Sequence, residues 1–201
     1  MIHLFIQDLK ISLQKPLPGK HSQFKMSPQG VRGFPVNAKS VNAAVLVLIF
    51  PENNEPSIVF MKRLDYEGHH GGQVSLPGGK YDWSDLSLQQ TALREANEEL
   101  GIDSNSIEII GVLSKLKIPV SGFTVYPYIG FIKEKPHWNP NPNEVSYLIE
   151  APISLLTNPL SVKSEMRDLH RSILNVPFYE INNEKIWGAT AMIISEFIDL
   201  L

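Results

Sequence analysis

The spacing of hydrophobic residues changes along the chain, and the change separates predicted helices from predicted strands. In "IHLFIQDLKISL" (2–13) the apolar positions fall at helical spacing, which predicts an N-terminal helix. The runs "AAVLVLIF" (43–50) and "SIVFMKR" (57–63) are apolar and rich in β-branched residues, as is typical of strands. The polar "PENNEP" between them predicts that the two strands form a hairpin.

The later part of the chain continues this mixture. Further strands are predicted at "IEIIGVLSKL", "FTVYPYIGFI", "VSYLIE" and, after a turn, "VPFYEINNEKIWG", and a closing helix at "ATAMIISEFIDLL". The Pro- and Gly-rich segment 14–40 is expected to run as an extended arm. We therefore predict an N-terminal helix and arm at 1–37, followed by one α/β domain at 38–201 whose mixed sheet has helices on both faces.

Composition narrows the class of function. Lys plus Arg number 18 against 21 Asp plus Glu, so no basic surface indicates a nucleic-acid partner. The longest apolar run is far shorter than the roughly 20 residues of a membrane-spanning helix. The N-terminus "MIHLFIQDLK" has no features of a secretory signal, so a cytoplasmic location is expected. With zero cysteines, the chain has neither thiolate catalysis nor Cys-ligated metals.

Candidate chemistry lies in "LPGGKYDWSDLSLQQTALREANEELGI" (76–102), where a helix is predicted between a Ser87–Gln90 capping box and Gly101. At 100° per residue, one face of this helix carries three carboxylates: Glu95, Glu98 and Glu99. An adjoining apolar stripe would seat the helix on a sheet; it comprises Ala92, Leu93, Ala96 and Leu100. Carboxylates this close raise one another's pKa unless a positive charge lies between them, and Mg²⁺ or Mn²⁺ would supply one.

An acidic helix face is more often only a solvated surface, and the surrounding residues decide between the two interpretations. Gly78 and Gly79 precede the helix and permit close approach of the backbone to a bound phosphate. Arg94 is next to Glu95 and four residues before Glu98, so its planar guanidinium can orient either carboxylate. Together these features favour a metal-dependent site for phosphate chemistry.

These residues resemble the signature of the Nudix hydrolases, a Gly and an acidic residue followed by Arg-Glu-x-x-Glu-Glu-x-Gly. The matching positions are Gly79, Arg94, Glu95, Glu98, Glu99, Gly101 and Ile102. Asp85 stands where the general pattern has Glu, and eight rather than seven residues separate it from Arg94. The resemblance implies an α/β/α sandwich and cleavage of a pyrophosphate linked to a nucleoside. It also implies a metal site at Glu95, Glu98 and Glu99 and a catalytic role for Arg94.

Other segments are similar to the coenzyme A pyrophosphatase branch of that family: "GGQVSLPGGK", "SGFTVYPYIG", "NPNEVSYLIEAPISLL" and "IWGATA". The branch implies coenzyme A or acyl-coenzyme A as substrate, cleaved to 3′,5′-ADP and a 4′-phosphopantetheine product. Its upstream pattern is matched at Arg63, His70, Gly72 and Val74. Met61, Leu64 and Gly68 replace the expected Thr, Ser and Arg. The candidate substrate-binding residues are Arg63, His70, Gly78, Gly79 and Lys80.

Several alternatives stay open. The general base is either a carboxylate of the helix or Glu144 in the loop "NPNE", which could equally be a solvated side chain. His70, with its neighbour His69, could likewise be an exposed loop residue without a function. The substrate could instead be ADP-ribose or another nucleoside diphosphate derivative, or the chain could be a non-catalytic nucleotide-binding module. The sequence leaves open whether the protein is a homodimer.

Overall fold

A long hairpin forms the centre of the main sheet in the computed structural model, which describes residues 2–28, 40–65, 71–119, 121–169 and 172–201. Its strands are β1 (Val41–Glu52) and β2 (Glu55–Arg63). They are joined by Asn53 and Asn54, both with positive φ, 48° and 65°. Two consecutive left-handed residues are typical of the tight turn that matches strand twist, and Asn adopts this conformation readily. The predicted hairpin is confirmed.

The described residues add six more strands to this sheet: β3 (Val74–Ser75), β4 (Gly78–Lys80), β5 (Glu108–Val112), β6 (Leu116–Ile118), β7 (Phe123–Phe131) and β8 (Val145–Pro152). β7 is parallel to β1, and the other pairings are antiparallel, so the sheet is mixed. β8 pairs along the outer side of β2, while β5 and β6 pair with β7.

The central hairpin opens into a wedge, and this wedge positions the glycines. β1 and β2 pair only between residues 49–52 and 55–58. Beyond that point β3 pairs with β2 at residues 61–62, and β4 pairs with β1 at residues 43–45. The short segment 74–80 thus fills the gap and fixes Gly78 and Gly79 against the middle of the sheet.

Helices cover both faces of the main sheet. On one face α3 (Leu88–Leu100) buries Ala92, Ala96 and Leu100 against the even-numbered residues of β1. The other face is covered by α1 (Ile2–Ser12) and α5 (Gly188–Ile198). The predicted α/β/α sandwich with a mixed β-sheet between helices is confirmed. α4 (Ile153–Thr157) is a short helix after β8. No helix among the described residues has both the length and the apolar character needed to cross a membrane.

The N-terminal arm differs from the prediction. Segment 14–40 was expected to be extended, but it contains α2 (Lys20–Lys25). The buried carboxylate of Glu196 on α5 accepts hydrogen bonds from Gln23 Nε2 (2.8 Å) and from the backbone N–H of Gly19 (3.2 Å). A buried carboxylate needs such donors, so α2 is held by a polar contact that the local sequence does not reveal. The proposed boundary at residue 37 lies outside the described residues and stays a prediction.

A second, three-stranded antiparallel sheet follows among the described residues: β9 (Val162–Leu169), β10 (Ser172–Ile181) and β11 (Glu184–Trp187). The predicted turn before β11 is confirmed at Asn182 and Asn183, whose φ values are 52° and 65°. β9 was not predicted, because it is largely exposed and carries charged residues in place of an apolar alternation.

Candidate active site

Local capping fixes both ends of α3, the helix that carries the three carboxylates. At its start Ser87 Oγ accepts from the Gln90 N–H at 3.2 Å, while the Gln90 side chain accepts from the Leu86 N–H at 2.7 Å. At its end Gly101 has φ 68° and donates its N–H to Asn97 O at 2.9 Å. The predicted helix and both caps are confirmed, apart from the Gln90 side chain reaching one residue further back than in a standard capping box.

Glu99 is a buried carboxylate held by the glycine segment. It is 1% exposed, and its Oε2 accepts from the backbone N–H of Gly78 at 2.7 Å. Its Oε1 lies 3.3 Å from Arg63 Nη2. The pKa of Glu99 is raised to about 8, mainly by burial and to a smaller extent by the nearby charges of Glu95 and Glu144, although Arg63 and the Gly78 N–H act in the opposite direction. Glu99 is therefore a group whose charge depends on what positive charge lies beside it.

Glu95 lies against the second glycine. Its side chain is 15% exposed and pairs with Arg94 Nη2 at 2.9 Å. A Cβ atom added to Gly79 would overlap the Glu95 carboxylate, so only glycine allows the backbone and this carboxylate to approach so closely. Burial also raises the pKa of Glu95, in spite of the Arg94 charge.

Arg94 connects the carboxylates. Its guanidinium donates to both oxygens of Asp85, from Nε at 2.9 Å and from Nη2 at 3.1 Å. Its Nη1 donates to Glu98 at 3.0 Å. The hydrogen bonds from Arg94 are the main cause that lowers the pKa of the buried Asp85 to about 2. This fixed ion pair holds the arginine in one orientation towards Glu95 and Glu98.

Asp85 lies beside this cluster, although the sequence does not predict it as a candidate site residue. Besides its bonds from Arg94, its carboxylate accepts from Thr91 Oγ1 at 2.8 Å and from the Asp82 N–H at 3.1 Å. The sequence signal for this contact is an acidic residue nine positions before Arg94. A carboxylate at that position can orient the arginine, and it also agrees with the family pattern.

The loop that carries Glu144 is hydrogen-bonded to the end of α3. The N–H groups of Asn139 and Asn141 donate to Leu100 O at 3.0 Å and Glu99 O at 3.1 Å. A Cβ on Gly101 would overlap Asn139, so the glycine also gives this loop its room. Glu144 itself is exposed, and its charge contributes to the raised pKa values of Glu95 and Glu99.

The candidate substrate-binding residues lie in different surroundings. Gly78 and Gly79 face α3, and the exposed Lys80 accepts from Arg94 through its backbone oxygen at 3.3 Å. Arg63 is turned towards Glu99 and the Gly78 carbonyl, which it meets at 3.3 Å and 3.4 Å. His70 lies outside the described residues.

The donor set suits a hard divalent cation. In the described part of the chain, no group of three or more His, Asp or Glu side chains is placed to hold a metal ion; Glu98 is bonded to Arg94 and Glu99 to the Gly78 N–H. The three α3 carboxylates nevertheless offer only oxygen atoms, and those of Glu95 and Glu99 have pKa values raised by burial. Residues of this chemistry fit Mg²⁺ or Mn²⁺, which would relieve the cost of their charges.

The sequence is similar to a known protein family and to individual known proteins. The NUDIX domain family model matches residues 41–169. The Yersinia enterocolitica protein named "Uncharacterized Nudix hydrolase NudL" is 36% identical over 189 residues, covering 92% of this chain and 86% of that protein. A protein of the same name from Yersinia pestis is 38% identical over 163 residues, covering 79% and 78% of the two chains.

Solved structures show the same fold at low sequence identity. The MutT/nudix family protein from Enterococcus faecalis is similar with a TM-score of 0.54 and 18% identity, over 82% of this chain and 63% of that one. The MutT protein from Methanosarcina mazei is similar with a TM-score of 0.52 and 14% identity, over 82% and 96%. These likenesses concern the fold alone.

Proposed function

Because the chain belongs to the Nudix hydrolase family and is a pyrophosphohydrolase of nucleoside diphosphate derivatives, we propose that its substrate is coenzyme A or an acyl-coenzyme A. Water adds to one phosphorus of the pyrophosphate and the bridging P–O bond breaks. The products are 3′,5′-ADP and 4′-phosphopantetheine or its acyl form.

The observation that carries the proposal is the packing of the α3 carboxylates against the Gly78–Gly79 backbone. Glu99 is bonded to the Gly78 N–H at 2.7 Å, and Glu95 leaves no room for a side chain at position 79. An anhydride bound beside these glycines would meet the carboxylates directly. Such proximity is what phosphoryl transfer requires, since its catalysis consists mainly of positioning and charge stabilisation.

Glu95, Glu98 and Glu99 would hold the divalent cation, in line with the metal dependence of the family. When bound, the metal stabilises negative charge on the phosphate oxygens and lowers the pKa of its water. Arg94, fixed by Asp85, holds Glu95 and Glu98 in place through contacts of 2.9 Å and 3.0 Å.

Glu144 is our candidate for the group that takes the proton from water. It is exposed, and Asn141 Nδ2 donates to its Oε1 at 3.3 Å. Its loop is tied to the end of α3, so its carboxylate stays near Glu95 and Glu99. A general base has to be accessible to water and close to the reacting phosphate, and these two conditions support Glu144.

The choice of coenzyme A rests on the segments similar to that branch and on where they lie. "NPNE" carries Glu144 against α3, and "IWGATA" begins α5, where Thr190 Oγ1 donates to Val74 O at 3.4 Å. The second segment therefore contacts the chain that leads into the two glycines, and the first contacts the helix that follows them.

A product assay tests the proposal. Coenzyme A, dephospho-coenzyme A, ADP-ribose, NADH and diadenosine polyphosphates are compared at one Mg²⁺ concentration, with products identified by chromatography. We expect the highest kcat/KM with coenzyme A or a short acyl derivative. A clear preference for ADP-ribose would overturn the substrate assignment, and no turnover of any compound would indicate a binding module.

Metal binding is tested separately by isothermal titration with Mg²⁺ and Mn²⁺. We expect heat of binding from the native protein and none from the Glu98→Gln/Glu99→Gln double variant. Equal binding by the two proteins would show that the acidic face is only a solvated surface.

A further inference from the structure

A cleft of about 370 Å³ lies between the edge strand β11 and the residues that lead into β3. Its walls include Lys62, Gln73, Arg167, Lys185 and Trp187. These residues come from β2, the segment before β3, β9 and β11, so the cleft exists only once the second sheet has packed beside the first.

The cleft carries an excess of positive charge. Lys62 Nζ donates to Glu184 at 2.8 Å, and Glu165 accepts from both Arg167 Nε and Lys185 Nζ. Three cations therefore share two carboxylates. Lysine ammonium groups have three donor hydrogens each, so these pairs leave donors for a further acceptor.

The guanidinium group of Arg167 is oriented so that it can bind an anion. Its guanidinium carbon lies 4.5 Å from the centre of the Trp187 ring, an arrangement that fixes the plane of the group. Within the described residues, its one hydrogen bond runs from Nε to Glu165, at 2.6 Å. Its two amino groups can thus form the paired contact that phosphate oxygens accept.

The cleft adjoins the carboxylate cluster. Lys62 and Arg63 are consecutive residues of β2, and the pairing of β2 with β8 is irregular between them. The Lys62 side chain enters the cleft, whereas that of Arg63 contacts Glu99 at 3.3 Å. The Arg63 N–H also donates to the carbonyl of Gln73, a cleft residue, at 3.0 Å. Two consecutive residues of β2 therefore link the cleft to the contact with Glu99.

We propose that this cleft binds a phosphate monoester carried by the substrate, which in coenzyme A is the 3′-phosphate. The identity of the phosphate rests on the proposed function, whereas the anion site itself rests on Lys62, Arg167 and Lys185. The cleft would thus distinguish coenzyme A from dephospho-coenzyme A.

The kinetic test uses the Arg167→Gln/Lys185→Gln double variant. For the native protein, kcat/KM for coenzyme A should exceed that for dephospho-coenzyme A by about tenfold or more, since one charge-assisted hydrogen bond is worth a factor of this order. The ratio should fall towards one in the double variant and be partly kept in Arg167→Lys. The matched control is Lys163→Gln, because Lys163 is also on β9 but pairs with Glu180. A ratio that the double variant keeps, or a ratio near one in the native protein, would overturn the proposal.

A binding test separates failure of the cleft from failure of the proposed function. Adenosine 3′,5′-bisphosphate and AMP are titrated into metal-free native and double-variant protein, and melting temperatures check that both are folded. We expect the bisphosphate to bind about tenfold tighter than AMP to the native protein only. If that difference is found but coenzyme A is not hydrolysed, the assignment of the cleft as a phosphate site is kept and the substrate assignment is wrong. If coenzyme A is hydrolysed but the variant keeps the native difference, the cleft assignment falls alone.

Discussion

The carboxylate cluster of α3 and the cleft beside β11 differ in the burial and in the partners of their charged side chains. In the cluster, the Glu99 side chain is 2% exposed and is held by a backbone N–H and an arginine. In the cleft, the side chains of Lys62, Arg167 and Lys185 are 24%, 26% and 41% exposed and are held by surface carboxylates. A buried carboxylate is costly to charge and responds to pH and metal, whereas partly exposed pairs contribute less to folding and are available to a ligand. The first region is suited to chemistry, and the second to recognition.

The strongest test of this contrast removes charge from the cluster. Glu98→Gln and Glu99→Gln should each lower kcat by on the order of a hundredfold or more, because each removes a negative charge proposed to hold the metal while keeping the shape of the side chain. Steady-state kinetics at saturating Mg²⁺ measures the loss. Glu134→Gln, which removes an exposed carboxylate from another loop, is the control. Activity within a few-fold of native in both cluster variants would show that the cluster has no part in catalysis.

A smaller change alters only the contact between the cluster and the backbone. Gly79→Ala should lower kcat by about tenfold or more, since its methyl group must displace the Glu95 carboxylate. Gly122→Ala is the comparison, because a Cβ there meets open space although φ is +72°. Both variants should be compared by kcat and by melting temperature. If the two alanines affect kcat alike, the close approach at position 79 has no part in catalysis.

The buried cluster should also make stability depend on pH. The pKa of Glu99 is about 8 when folded against an ordinary value of 4.5, so between these values the folded protein binds more protons than the unfolded chain. Stability must therefore fall as pH rises through this window. We expect the melting temperature of metal-free protein to drop by about a few degrees from pH 5 to pH 8.

Glu99→Gln should remove most of this slope. Asp85 does not interfere, because its pKa is lowered from 3.8 to about 2 and its stabilising effect is lost only in more acidic solution. Scanning calorimetry in the presence of a chelator measures both proteins. A native protein whose melting temperature rises over this pH range would contradict the interpretation of Glu99 as a buried, readily protonated group.

The smallest effect is expected in the cleft. Lys185→Gln removes one exposed ion-pair partner of Glu165 and should change the free energy of unfolding by less than about 1 kcal/mol. Arg63→Gln removes the cation beside the buried Glu99 and should cost about 3 kcal/mol when measured at about pH 9, where Glu99 is charged. Urea denaturation of both variants gives the comparison, and equal losses would show that burial does not separate the two regions.

The sequence predicted those parts of the molecule that depend on neighbouring residues. The α3 helix, its caps and its acidic face lie within one short segment, and so does the Asn53–Asn54 turn. The sequence could not show that Glu99 is buried while Glu98 is half exposed, because helical geometry places both near Glu95. That difference is decided by the Gly78 N–H, which reaches Glu99 only after β4 has paired with β1.

The remaining parts depend on contacts between distant segments. Nothing near Lys20–Lys25 indicates that α2 forms beneath the buried carboxylate of Glu196. The charged strand β9 is recognisable only through its partner β10. The cleft joins residues up to 125 positions apart, from Lys62 to Trp187, so no local pattern could have predicted it.

The hydrogen bonds from Asn139 and Asn141 to the end of α3 have a consequence for how this protein can change in length. Chain inserted at the exposed Lys133 or Glu134 precedes these contacts, so we expect such an insertion to be accommodated with the enzyme still active. An insertion of the same length between Asn141 and Glu144 would leave the helix end capped but carry Glu144 away from it. The loop thus has a part of variable length around Lys133 and Glu134 and a part of fixed length between Asn141 and Glu144. Relatives of this chain should differ in length in the former part and not in the latter.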